Sequence, residues 1–205
     1  MKKCIFKGCG TAIVTPFIGD EINYEEFEKL IEFQIKEGID AIVVCGTTGE
    51  ASTMTDLEKK EAIKFVIDKV NKRVPVIAGT GGNNTKYSIE LSSYAEKAGA
   101  DGLLLVTPYY NKTTPKGLIA HYKKIAESTK LPIILYNVPT RTGMTISPST
   151  YLELSKIENI VATKEASGNI SAIIETKALC GDNKYFTFGL YVYCYLCVKM
   201  VKATY

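Results

Sequence analysis

The chain has 205 residues, 46% of them apolar and 23% charged, and a formal net charge of +3. That length and balance fit a globular domain with a substantial core. Lysines scattered among glutamates exclude the electrostatic footprint of a nucleic-acid binder, and no window nears the roughly twenty apolar residues that span a bilayer, so neither nucleic acid nor membrane is expected as a partner.

The start, Met1-Lys2-Lys3-Cys4, runs into Phe6-Lys7-Gly8-Cys9 without the apolar stretch of a signal peptide, so a cytoplasmic location is expected. In that setting the six cysteines are expected to be reduced thiols. Cys194-x-x-Cys197 lacks the second pair or nearby histidine that a zinc or redox site would need, and no metal or cofactor is expected. The single histidine, His121, lies in a helical pattern and is expected at the surface.

Taken in order, short runs rich in Val, Ile and Leu alternate with longer amphipathic segments. Strands are expected over Gly10–Thr15, Ala41–Cys45, Pro75–Ala78, Gly102–Val106, Ile133–Tyr136, Ile160–Lys164 and Tyr185–Phe188. Helices are expected over Tyr24–Lys36, Asp56–Asn71, Thr85–Ala98, Pro115–Thr129, Ser147–Ser155 and Ile170–Leu179. Asn23, Thr55 and Ser147-Pro148 supply start signals, and Gly38 and Gly99 supply stops.

Strands apolar on both faces and separated by helices belong to a parallel sheet, either doubly wound or closed as a barrel. Periodicity alone does not choose between them. The position of the unusual residues favours the barrel. The strands end in turn at Thr15-Pro16, Gly46-Thr47-Thr48-Gly49-Glu50, Gly79-Thr80-Gly81-Gly82, Thr107-Pro108-Tyr109-Tyr110, Tyr136-Asn137 and Lys164-Glu165. A (β/α)8 barrel brings all such ends to one rim, whereas a doubly wound sheet concentrates its contacts at a single switch point.

Lys164 closes an apolar strand, so its amine would sit at the rim of the interior. On pattern alone such a lysine is more often a snorkelling side chain. As a nucleophile it must be neutral, and at its ordinary pKa only about one lysine in a few thousand is neutral at pH 7. Desolvation among strand side chains is the force that lowers that pKa. The Gly46–Glu50 turn offers backbone N–H groups and two hydroxyls that suit a carboxylate, although the same turn serves tight geometry alone. Gly79-Thr80-Gly81-Gly82 has the wrong spacing for a nucleotide fingerprint and reads as close backbone packing. Tyr136 can relay protons and Arg141 can clamp a carboxylate, yet each is individually more often structural. Tyr109-Tyr110 alone is an ordinary aromatic pair.

Together, four motifs in order closely resemble those of the dihydrodipicolinate synthase family: Gly46-Thr47-Thr48-Gly49-Glu50, Thr107-Pro108-Tyr109-Tyr110-Asn111, Tyr136-Asn137-Val138-Pro139-x-Arg141-Thr142-Gly143 and Lys164-Glu165-Ala166-Ser167-Gly168-Asn169. The resemblance runs from about residue 5 to about residue 183. It implies an α/β fold of (β/α)8 barrel type and a class I aldolase-type mechanism. Lys164 would form a Schiff base with pyruvate, and the resulting enamine would attack aspartate semialdehyde to give 4-hydroxy-tetrahydrodipicolinate, for lysine and diaminopimelate synthesis.

By the same resemblance, Tyr136 would transfer protons and Thr47 would link it to Tyr110, which a neighbouring subunit would supply. Thr48 would hold the pyruvate carboxylate beside Gly189, and Arg141 would receive the carboxylate of the semialdehyde. A homotetramer built as a dimer of dimers is implied. The related N-acetylneuraminate lyases share the lysine and tyrosine but match less well after Tyr136-Asn137. The family's lysine feedback site would fall near Ser52, Asp56, Lys59, Asn83, Tyr87 and Tyr109, of which Asp56, Lys59 and Tyr87 depart from the sensitive pattern.

Beyond Gly189 the resemblance ends. Residues 1–189 are expected to form an incomplete barrel lacking its last strand-helix unit and the family's C-terminal helical domain, with 190–205 a divergent tail of frameshift or premature-stop origin. A barrel of this kind usually takes roughly 250 residues. An inactive fragment is the rival expectation for such a chain.

Overall fold

The computed structural model describes residues 4–180 and 187–190. Its elements, in order, are strands β1 (Gly10–Ala12), β2 (Phe17–Ile18) and β3 (Glu21–Ile22), helix α1 (Tyr24–Lys36), β4 (Ala41–Val44), α2 (Asp56–Val70), β5 (Val76–Gly79), α3 (Thr85–Ala98), β6 (Gly102–Val106), α4 (Pro115–Glu127), β7 (Ile133–Asn137), α5 (Pro139–Thr142), α6 (Pro148–Ser155), β8 (Ile160–Glu165), α7 (Ile170–Cys180) and β9 (Thr187–Leu190). Seven parallel strands form one sheet in the order β1-β4-β5-β6-β7-β8-β9, so each new strand is laid beside the preceding one in the same direction. No strand order reverses, and the switch point of a doubly wound sheet is therefore absent among the described residues.

Side-chain parity decides the architecture. Ile42, Val44, Leu103, Leu105, Ile133 and Leu135 pack outward with apolar residues of the helices, among them Phe27, Ile63, Leu91, Ile125 and Leu154. Their strand neighbours Ala41, Val43, Ile77, Leu104, Ile134 and Tyr136 form a second cluster joined by Ile5, Phe6 and Ala162, without a residue from α1–α4. Helices on one face, and on the other a cluster of strand side chains closed by Ile5 and Phe6, define a curled sheet with a filled interior, the (β/α)8 barrel type. The seven strands are the described portion of that barrel.

Local signals set the helix limits. Asn23, Thr55 and Ser147 accept backbone N–H bonds at the starts of α1, α2 and α6, and Thr55 with Glu58 closes a reciprocal capping box. Gly99 ends α3 in the left-handed conformation.

Several expectations are corrected. β1 stops at Ala12, short of the expected Thr15, although Ile13 N–H still donates to the Val43 carbonyl at 3.1 Å, and the chain goes on into the β2–β3 hairpin. Pro139–Thr142, outside the expected helices, makes one helical turn, consistent with proline at its first position. The last strand among the described residues is Thr187–Leu190; of the expected Tyr185–Phe188, residues 185 and 186 lie outside the described residues. Leu190, the expected first residue of the tail, pairs with Glu165, and 191–205, including Cys194 and Cys197, lie outside the described residues.

His121 is buried, not at the surface: α4 turns it towards α3, where Nδ1 meets Thr85 Oγ1 at 2.9 Å and its ring meets Tyr122 edge-on. Cys4 and Cys45 are free thiols. No helix among the described residues is long and apolar enough to cross a membrane.

Candidate active site

The carboxyl ends of the strands are drawn together by hydrogen bonds that continue past the regular ladders. Thr15 Oγ1 donates to the Gly49 carbonyl at 2.8 Å, tying the segment after β1 to the turn after β4. Thr80 N–H reaches the Leu104 carbonyl, Thr107 N–H the Tyr136 carbonyl and Ala166 N–H the Asn137 carbonyl, at 3.1, 3.1 and 2.8 Å. Glycine is required where these backbones meet. A Cβ on Gly79 would stand 2.1 Å from the Cys45 carbonyl oxygen, and one on Gly81 would stand 2.3 Å from the Val106 nitrogen. The glycine-rich segment is therefore close backbone packing, as its spacing predicts.

Lys164 and Tyr136 meet on the interior side. They are Cα partners across β7 and β8, and Lys164 Nζ lies 4.4 Å from the centroid of the Tyr136 ring. This meeting depends on a bulge at Val161. Pairing steps from Ile133↔Ile160 to Ile134↔Ala162, so β8 absorbs one extra residue. Uninterrupted pairing would have put Thr163 opposite Tyr136. Ala162 and Ala166 pack against the interior cluster on either side of Lys164, while Thr163 and Glu165 face the helices. Burial in this apolar setting holds the Lys164 amine below the usual lysine range. Gly189 is the Cα partner of Lys164 on its other side.

Tyr136 also lines a cavity of about 340 Å3. Thr47 and Arg141 line it too, so the cavity unites three of the expected site residues. Lys164 reaches this space through Tyr136 and is not itself part of the lining. Thr48 is exposed on the same turn as Thr47, and Tyr110, held at φ 67°, is 92% exposed. These two do not converge on the cavity.

Among the described residues, Lys59 and Arg141 are the cationic residues of the cavity wall and no carboxylate lines it, so its field favours an anion. Lys59 donates to the Tyr87 hydroxyl at 3.2 Å and stands 3.8 Å from Asp56. Ser52, Asn83 and Tyr109 complete that side, which places five of the six positions expected near the feedback site in one wall. Cys45 also lines the space, but burial pushes its thiol up to about 12, which removes it as a nucleophile near neutral pH. Among the described residues no group of three or more His, Cys, Asp or Glu side chains is arranged to hold a metal.

The site contains a buried polar assembly that sequence reasoning left without a role. Glu165, 5% exposed, accepts from Asn137 Nδ2 with both carboxylate oxygens at 3.0 Å, from the Tyr151 hydroxyl at 3.0 Å and from Ser167 N–H at 2.9 Å. Its available signal was parity: Asn137 and Glu165 each follow a residue that faces the interior.

A desolvated strand-end lysine over a tyrosine ring, beside an anion-favouring cavity, defines a protein of the (β/α)8 barrel class with its candidate site at the carboxyl ends of the strands. Comparison with known proteins makes the assignment specific. The chain belongs to the Dihydrodipicolinate synthetase family, whose sequence model it matches over residues 5–196. It is 60% identical over 180 residues to the 4-hydroxy-tetrahydrodipicolinate synthase of Acetivibrio thermocellus, covering 88% of this chain and 61% of that protein. To the enzyme of the same name from Clostridium novyi it is 56% identical over 178 residues, covering 87% and 60%. Among solved structures it is similar to the chloride-inhibited dihydrodipicolinate synthase from Acinetobacter baumannii complexed with pyruvate. That match has a TM-score of 0.87 and 45% identity, over 91% of this chain and 64% of that one. The chain thus spans about three fifths of the length of the curated relatives it matches.

Proposed function

We propose that this chain carries the Schiff-base chemistry of a 4-hydroxy-tetrahydrodipicolinate synthase, condensing pyruvate with aspartate 4-semialdehyde. The observation that carries the reading is the stacked, desolvated pair of Lys164 and Tyr136. The neutral Lys164 amine attacks C2 of pyruvate, and the carbinolamine loses water to give the imine. Loss of a C3 proton makes the enamine, whose C3 forms the new bond to the aldehyde carbon of the semialdehyde. Attack by the semialdehyde's own amine then closes the ring and releases Lys164. One water leaves overall.

Tyr136 is the proton carrier for imine formation, because its hydroxyl is attached to the ring that covers the amine. Thr47 passes protons between Tyr136 and Tyr110, the latter supplied by a second copy of the chain. The exposed ring of Tyr110 supports that assignment, since within its own chain it has little to pack against. Thr48 and the backbone beside Gly189 hold the pyruvate carboxylate, and Arg141 takes the carboxylate of the second substrate, a bidentate task suited to a guanidinium. The relatives' name, 4-hydroxy-tetrahydrodipicolinate synthase, supports this product and a place in lysine and diaminopimelate synthesis; a cytoplasmic location and an assembly of two dimers belong to the same proposal.

Borohydride reduction in the presence of pyruvate, followed by peptide mass mapping, tests the reading. A reduced three-carbon adduct on Lys164 is expected. Folded chain that yields no adduct, or an adduct on another lysine, would overturn it. Consumption of pyruvate on addition of aspartate semialdehyde, set against release of pyruvate from a sialic acid, distinguishes this activity from that of an N-acetylneuraminate lyase.

A further inference from the structure

Each interior-facing residue of the Lys164–Tyr136 pair is followed by a partner facing the helices, and the partners are themselves paired: Asn137 with Glu165. Asn137 Nδ2 bridges both oxygens of the Glu165 carboxylate, and its Oδ1 accepts from Ile146 N–H at 3.2 Å. Nδ2 also contacts Thr145 Oγ1 at 3.2 Å. Glu165 is held from α6 by Tyr151 and from its own loop by Ser167 N–H. The Tyr151 hydroxyl further contacts Thr163 Oγ1 at 2.9 Å, two residues back along β8.

A buried carboxylate is costly unless its lone pairs are filled, and leaving the same donors unfilled is costly too. The assembly therefore has one favourable arrangement. Its members lie on both strands, on α6 and on the loops after β7 and β8. Because consecutive strand residues face opposite sides, fixing Asn137 against Glu165 also fixes the offset and separation of Tyr136 and Lys164. The bulge at Val161 makes this constraint consequential, since β8 could otherwise pair one residue out of step.

We infer that Glu165 and Asn137 are positioning residues that hold the Lys164 amine beneath the Tyr136 ring from the opposite face of the sheet. The kinetic part of this inference rests on the proposed Schiff-base chemistry; the geometric part does not. Neither residue touches the reacting atoms. Both act through their strand neighbours.

The experiment uses the full chain with Glu165→Gln, Asn137→Asp and the exchanged pair carrying both substitutions. In the exchanged pair, the amide nitrogen at 165 donates to the carboxylate at 137. That carboxylate also receives Ile146 N–H and the Thr145 hydroxyl, and the amide oxygen at 165 takes Ser167 N–H and the Tyr151 hydroxyl. Imine formation is followed by rapid mixing with pyruvate and timed borohydride quenching. The final extent of labelling counts competent molecules, while the rate constant reports how well the pair is placed. Each single variant is expected to slow imine formation about tenfold or more at saturating pyruvate. Half-saturation and final extent should stay within about threefold of the unchanged chain, and the exchanged pair should recover most of the rate.

A second measurement reads the geometry without pyruvate. After reductive methylation with 13C-formaldehyde, the Lys164 methyl resonance should lie upfield through the Tyr136 ring current, assigned by its loss in Lys164→Met and its shift in Tyr136→Leu. It should move at least halfway to the ordinary lysine position in each single variant and return in the exchanged pair. Unaltered rate constants and resonances in folded single variants would sink the inference, as would lost final extent at an unchanged rate. An unchanged chain that gives no adduct, yet shows the expected resonance shifts, would leave the positioning intact and reject the Schiff-base reading instead.

Discussion

Lys164 Nζ lies 4.4 Å from the centre of the Tyr136 ring, and the two residues are direct partners across adjacent strands. Two effects oppose each other at that amine. The ring face attracts a cation, while removal from water penalises it. Burial prevails, and the pKa is lowered. The same balance that prepares a nucleophile makes Lys164 a cost to the fold.

Replacement Lys164→Met should therefore abolish adduct formation while raising stability at pH 7 by about 1 kcal/mol. The sign follows from linkage: the unfolded lysine binds its proton more tightly than the folded one, so the native state gains as pH rises towards the ordinary lysine range. The advantage of methionine should accordingly shrink at alkaline pH. Urea denaturation at neutral and alkaline pH checks both parts, and a variant less stable than the unchanged chain at neutral pH would contradict the argument.

Tyr136→Phe separates the ring from its hydroxyl. The apolar face over Lys164 is kept, so the chain should fold with its stability changed by no more than about 1 kcal/mol. The proposed proton carrier is lost, and imine formation should slow roughly 100- to 10,000-fold. Timed borohydride trapping measures the rate. A phenylalanine variant that traps pyruvate at the original speed would show that Tyr136 serves packing alone.

The order of strands and helices was legible because parallel strands buried on both faces leave an unmistakable rhythm of apolar runs and capped helices. Lys164 and Tyr136 were legible as strand ends, and their family resemblance named them. What the sequence did not disclose was their meeting, which depends on one extra residue at Val161 and thus on a register that no local pattern encodes. Asn137 and Glu165 were read only as letters of a motif, since a buried carboxylate is intelligible once its donors are seen around it. His121 was misplaced for a related reason: its helix is polar enough to suggest a surface, but its ring lies against Thr85 and Tyr122 between two helices.

That burial gives His121 a pH signature. Its pKa falls from 6.5 to about 4 because the charged ring is poorly solvated. The unfolded histidine takes up a proton below its ordinary value while the folded one resists, so stability is full above that value and declines as pH falls towards about 4. The loss attributable to this group is on the order of 3 kcal/mol. Comparing denaturation midpoints at about pH 7.5 and pH 4.5 should show that decline, and His121→Gln, which cannot titrate, should flatten it. An equal slope in the variant would assign the acid sensitivity to other groups.

Tyr151→Phe removes one donor from the buried Glu165 carboxylate and changes little else in volume. A hydrogen bond to a charged acceptor contributes more than one between neutral groups, so a loss of about 2 kcal/mol is expected. Because Asn137 and Ser167 still hold the carboxylate, imine formation should slow far less than in Glu165→Gln. Urea denaturation and timed trapping provide the two numbers. Equal kinetic losses in both variants would mean that Tyr151 shares the positioning role.

Gly81→Ala tests how closely the strand ends must approach. A Cβ at this position would lie 2.3 Å from the Val106 nitrogen and 2.7 Å from Leu105 Cα, both backbone atoms that cannot step aside without moving β6. Overpacking of this kind should cost about 3 kcal/mol. Gly82 is the internal comparison, because a Cβ there would find the Ser88 Oγ at 3.6 Å, an ordinary contact. Gly82→Ala should accordingly change stability by no more than about 0.5 kcal/mol. Thermal or urea denaturation of the two alanine variants side by side measures the difference, and similar stabilities would show that the rim backbone yields more readily than its packing implies.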